Sequence, residues 1–130
     1  MTFEWHNYLE FAKQVFTTAS EFADSEAAYR SVVSRSYYAV YCSTRNLVKQ
    51  KYKKEFFGSA HQQLQDYLIA YTGDARSRLG KRLKELHQLR IKVDYANELN
   101  QSAQYLAQQA VSKAANIEAD IKEIAGKAKK

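Results

Sequence analysis

Apolar residues recur every three or four positions through most of the chain, the spacing that gathers them on one face of an α-helix. Phe3, Trp5, Tyr8, Leu9, Ala12, Val15, Phe16, Ala19 and Phe22 form the first stripe, with Thr2 placed as an N-cap, so a helix is predicted over Thr2–Ala23. Asp24 or Ser25 reads as the cap of a second helix, the longest and most central, running from Glu26 to near Lys53. Its inward stripe is Val33, Tyr37, Val40, Thr44 and Leu47 or Val48, and a second stripe carries Arg35, Tyr38, Cys42, Arg45 and Lys49. Phe56–Phe57–Gly58 is a break, and Ser59 then caps a shorter third helix whose inner side holds His61, Leu64, Leu68 and Tyr71. Gly73–Asp74 starts a fourth helix expected to end near Tyr95, with Leu83, Leu86, Leu89 and Val93 in register. After Asn97 and Asn100, Ala103, Leu106, Ala110, Ala114, Ile117, Ile121 and Ile124 predict a fifth helix over about Gln101–Ala125, closed by Gly126. No β-branched run alternates between turn residues, and proline is absent. The fold class is therefore all-α.

A length of 130 residues fits one domain, assigned to 1–126, followed by a basic tail at 127–130. The single cysteine, Cys42, allows no disulfide within the chain and suits a reducing compartment. It has no His close by in sequence and no helix start to activate it, so it is not read as a nucleophile. His6, His61 and His87 are far apart in sequence, and neither a metal site nor a cofactor is expected. The first residues lack a basic leader, and no apolar run approaches ~18 residues. A cytoplasmic protein without a membrane span is the expectation.

Charge changes the picture. The net charge is +6, yet residues 1–28 hold one base, Lys13, against five acids, and the excess of bases lies beyond them. Such asymmetry points to a polyanion met by the later helices, RNA being the candidate. Lysines at 49, 51, 53 and 54 surround Tyr52, a weak nucleic-acid signal that a helix C-terminus explains equally well. The densest tract is Arg76, Arg78, Lys81, Arg82 and Lys84, with no acid among them. These are the candidate RNA-phosphate contacts, with a solvated basic face as the competing account. The tract leads into His87, Arg90 and Asp94, spaced so that an imidazole, an anion-binding guanidinium and a carboxylate share one helical stripe. That stripe is a candidate catalytic edge or a solvated edge paired with itself.

Three segments together resemble the HEPN family of small helical domains: Ser34–Val48 (SRSYYAVYCSTRNLV), His61–Leu68 (HQQLQDYL) and Leu89–Tyr95 (LRIKVDY). The similarity is to the stand-alone type often encoded beside a minimal nucleotidyltransferase, and it spans about Glu26–Ile124. It implies an up-and-down bundle of four to five helices that forms a homodimer. It further implies an RNA-targeting, toxin-like component of a two-component system, with the nucleotidyltransferase as antitoxin partner. Active members resemble metal-independent endoribonucleases built on an Arg, four to six intervening residues, and a His. Arg90 matches the Arg, but the positions where the His would fall are Tyr95, Ala96 and Asn97. Two expectations follow. His87, one turn before Arg90, supplies the imidazole from the other side, with Asp94 and Tyr95 completing the candidate catalytic set; or the chain is a non-catalytic nucleotide- or partner-binding dimerisation module. Tyr95 is also where a partner enzyme of this kind would attach a nucleotide, by analogy. The alternative match, Arg82 followed by four residues and His87, places its two residues about 140° apart on one helix and is read as chance. A small-ligand bundle, suggested only by the aromatic content, is the third expectation.

Overall fold

Five helices account for the regular structure of the computed structural model, which describes residues 2–127; the expected tail lies outside the described residues from 128 onward. They are α1 (His6–Thr18), α2 (Ser25–Tyr52), α3 (Ala60–Ile69), α4 (Ala75–Tyr95) and α5 (Ala103–Ala125). Among the described residues there is no strand, and no helix is long and apolar enough to cross a membrane.

Three helix starts are fixed by side chains that take an otherwise orphaned N–H: Asp24 accepts from Ala27, Asp74 from Arg76 and Ser102 from Tyr105. The Arg76 guanidinium, followed by its own N–H, holds the Asp74 carboxyl down to about 2. Thr2 does not cap α1, which begins at His6 after a turn at Trp5, and a 3-10 turn at Ala19–Glu21 ends it short of Ala23. The cause lies in the aromatic residues at the start. Phe3, Trp5 and Tyr8 pack edge to face on one another, with centroids 4.8–5.2 Å apart, and that cluster replaces the first helical turn.

The predicted stripes supply the core. Val33, Tyr37, Val40, Thr44 and Val48 of α2 meet Leu83, Leu86 and Val93 of α4, and Leu106, Ala110, Ala114, Ile117 and Ile124 of α5, all buried. The first stripe is broader than its burial: Leu9, Ala12 and Ala19 are covered, whereas Phe3 and Phe22 remain about half exposed. Gly80 lets α4 lie close against α3, because a Cβ there would stand 2.9 Å from Leu68 Cβ and Ile69 Cγ1.

The bundle is not purely up-and-down. Contacts Arg30–Val93, Tyr37–His87 and Arg76–Tyr52 run α4 against the direction of α2, and Ser77–Ile69 and Gln65–His87 run it against α3. Helices α2 and α3 therefore run the same way. The chain between them doubles back through residues 53–59, helped by left-handed backbone at Lys53 (φ 58°) and Gly58 (φ 77°). This return sets the start of α3 beside the middle of α2, and so decides what His61 touches.

Candidate functional site

Helix α2 brings Tyr37, Tyr38 and Tyr41 to the face where α3 and α4 meet. From α3 come His61 and Gln65, one turn apart, and from α4 His87 and Arg90, likewise one turn apart. Four rings lie nearly parallel. The His61 ring stacks on Tyr41 (4.0 Å between centroids, 15°) and on His87 (4.9 Å, 20°), and His87 stacks on Tyr37 (4.9 Å, 14°).

Each imidazole is held through Nδ1. The Tyr37 hydroxyl lies 2.5 Å from Nδ1 of His61, and the Gln65 amide nitrogen 2.9 Å from Nδ1 of His87. Neither Nε2 has a protein partner among the described residues, and neither is among the solvent-free polar atoms that lack one, so both reach solvent. Arg90 donates to the Tyr38 hydroxyl at 2.6 Å, and its Nε lies 3.0 Å from the Asp94 carboxylate. The result is a half-buried shelf of two imidazole edges beside a braced guanidinium.

The electrostatics keep the imidazoles neutral. Burial, then the neighbouring His87 and Arg90, push His61 down to about 4. Burial and Arg90 also lower His87 from its ordinary value. Burial raises Tyr37 far beyond the ordinary phenol range, and it raises Tyr41 as well, so these hydroxyls keep their protons. At neutral pH the shelf thus offers neutral nitrogens and one cation, a set suited to an anionic oxygen and unsuited to a metal ion. Parallel rings 4.9 Å apart cannot aim two lone pairs at one metal, and Arg90 repels cations. No group of three metal-ligating side chains occurs among the described residues.

The structure places His87, Arg90 and Asp94 of the predicted edge on consecutive turns of α4, with Arg90 paired to Asp94 and His87 held by Gln65. Tyr95 stands apart: it is 75% exposed and borders a groove of about 480 Å³ with Arg30 and Asp94. The basic tract divides. Arg78 and Arg82 reach across to Asp120 of α5 at 2.9 and 2.8 Å, Arg78 also pairs with Glu123, and Arg76 pairs with Asp74 while lying 3.6 Å above the Tyr71 ring. Lys81 and Lys84 are exposed and carry no ion pair among the described residues. Arg82 and His87 contact different helices, α5 and the α2–α3 face, as their angular separation implies.

Sequence reasoning missed His61 as a site residue and gave no role to Gln65. A signal was present in the hydrogen-bonding residues of one α3 face, His61 and Gln65, four apart like a ligand pair, but their partners lie on other helices. Comparison with family models, with curated proteins and with solved structures returns no match.

Proposed function

We propose that the chain is an RNA-targeting protein of HEPN type, the toxin-like half of a nucleotidyltransferase-paired system, acting through the His61–His87–Arg90 shelf. The observation that carries this reading is the pairing of two solvent-reaching imidazole nitrogens with a braced guanidinium. The displaced imidazole at His87 lies one turn from Arg90 and stacks on a second imidazole. An RNA phosphate seated there would be held by Arg90. In metal-independent cleavage His87 would accept the 2′-hydroxyl proton and the 2′-oxygen would attack phosphorus. The P–O5′ bond would break, the leaving 5′-oxygen would take its proton from the His87 imidazolium so formed, neutral His61 would donate a hydrogen bond to the phosphate, and a 2′,3′-cyclic phosphate would remain.

Cleavage of a labelled structured RNA in EDTA tests this. Arg90→Ala and His87→Ala should each lower the rate at least ~10²-fold, the usual scale for removing a charge-stabilising donor or an acid–base group. Wild-type rates surviving in both variants would refute the assignment.

A second reading, a non-catalytic dimerisation or nucleotide-binding module, draws on the exposed apolar residues toward the C-terminal end of α4, Ile91 at 41% and Tyr95 at 75%. In that case RNA or a mononucleotide binds at the shelf without being cut. A homodimer measured by sedimentation that is dissociated by Ile91→Asp would favour it.

A further inference from the structure

The two Nδ1 contacts have a direction, and it determines what the imidazoles can do. A neutral imidazole carries one proton, on one nitrogen only. The Gln65 side chain is buried at 3% exposure and presents its amide nitrogen, a donor, to His87 Nδ1. Nδ1 of His87 therefore accepts, and its proton sits on Nε2, the nitrogen that reaches solvent. Tyr37 is fully buried, and its hydroxyl has one hydrogen-bond partner among the described residues, His61 Nδ1. With no other acceptor for its proton, the Tyr37 hydroxyl donates to His61 Nδ1. His61 too carries its proton on Nε2. Two buried donors, the Gln65 amide for His87 and the Tyr37 hydroxyl for His61, thus orient the pair.

We infer that Gln65 is a positioning residue that, with Tyr37 doing the same at His61, holds the shelf in a donor-only resting form, with His61 and His87 both presenting Nε2–H and neither presenting a free basic nitrogen. In this form the shelf takes a phosphoryl oxygen and does not deprotonate a hydroxyl. For His87 to act as the base proposed above, the Gln65 carboxamide must turn over so that its oxygen accepts from Nδ1–H, leaving Nε2 free. The amide is then the control on that site: nitrogen toward His87 binds, oxygen toward His87 permits proton abstraction. The inference about cleavage rests on the functional reading above; the tautomer assignment does not.

Long-range 1H–15N NMR of the histidine rings of the full chain at pH 7.5 tests it, with inorganic phosphate and a short oligoribonucleotide as probes. In the wild type both His61 and His87 should show the Nε2–H tautomer, and inorganic phosphate should shift their Nε2 resonances more than those of His6. In Gln65→Glu a carboxylate replaces the amide donor, so His87 should convert to Nδ1–H. Gln65→Met, close in shape and without a donor, guards against misfolding of the charged variant and should leave His87 in a tautomer mixture. An Nδ1–H tautomer at His87 in the wild type, or an unchanged Nε2–H tautomer in a folded Gln65→Glu or Gln65→Met, would overturn the proposal. A role in packing alone would move none of these signals. Metal-free RNA cleavage in Gln65→Glu above the wild-type rate, abolished by adding His87→Ala, supports the amide as the control. If the tautomers behave as stated and no variant cleaves or binds RNA, the functional reading fails while the positioning role stands.

Discussion

The first half of α4 carries five Lys and Arg side chains and the second half two, and the halves use them in opposite ways. In the first half, Arg78 and Arg82 converge on Asp120, whose side chain is 4% exposed, and Arg76 is held by Asp74 and two tyrosine rings. Their charge is matched by acids and tied to α5 or to the helix start. In the second half, Arg90 has one carboxylate, Asp94, and leans on a neutral hydroxyl, while both neighbouring imidazoles keep one nitrogen open to solvent. Density of positive charge is therefore a poor guide to a site in this chain. What distinguishes the second half is hydrogen-bonding capacity left unused beside a fixed cation.

The largest effect that separates the halves is expected at Asp120. Asp120→Ala removes the buried carboxylate facing two guanidiniums and should cost about 2–3 kcal/mol, below the range for a fully buried pair because both arginines can turn to water. Urea denaturation measures it, and RNA affinity should stay within about twofold. An RNA defect as large as that of Arg90→Ala would erase the distinction.

Acid should act next, on the second half. The pKa of His61 is lower folded than its ordinary value, so between about 6.5 and 4 the unfolded chain binds the extra proton. The stability contributed by neutral His61 is complete above about 6.5 and is lost as the pH falls through that window to about 4. Loss at Asp74, held near 2, begins only below about 4, and His6, raised by Glu118, works in the opposite sense. Thermal melts should therefore be compared between wild type and His61→Asn. The groups facing His61 are Tyr37, Tyr38 and Tyr41 from α2 and His87 and Arg90 from α4, none of them a carboxylate that would reverse the sign. Parallel pH profiles for the two proteins would contradict this account of the cluster.

The smallest effect is expected at the exposed lysines. If Lys81 and Lys84 touch RNA phosphates, replacing both by Ala lowers the salt slope of binding by up to about one to two ions. If they are a solvated face, the slope stays put. Arg78→Ala serves as the control, since its guanidinium is already occupied by Asp120 and Glu123.

The elements were largely legible because they rest on local rules. Asp24, Asp74 and Gly126 mark helix ends, and the stripes of α2, α4 and α5 are buried as their periodicity predicts. The first helix was overextended because periodicity cannot distinguish a helical turn from an aromatic cluster such as Phe3–Trp5–Tyr8. Half of the shelf was legible, His87, Arg90 and Asp94 being neighbours on one helix. The other half was not. His61 reaches His87 across 26 positions only because residues 53–59 double back and set α3 alongside α2, a direction that hydrophobic spacing does not encode. The same gap hid the fate of Arg78 and Arg82, whose acids lie on α5.

Cys42 and Trp5 give one last consequence. The chain has one thiol and one indole. The thiol is 5% exposed in the middle of α2, and the indole packs at the start of α1 against Phe3, Tyr8 and Arg45. Two natural reporters therefore sit at separate places in the fold. Indole fluorescence follows the seating of α1, while the rate at which a thiol reagent labels Cys42 times the opening of the central helix, so partial and complete unfolding can be told apart without introducing a probe.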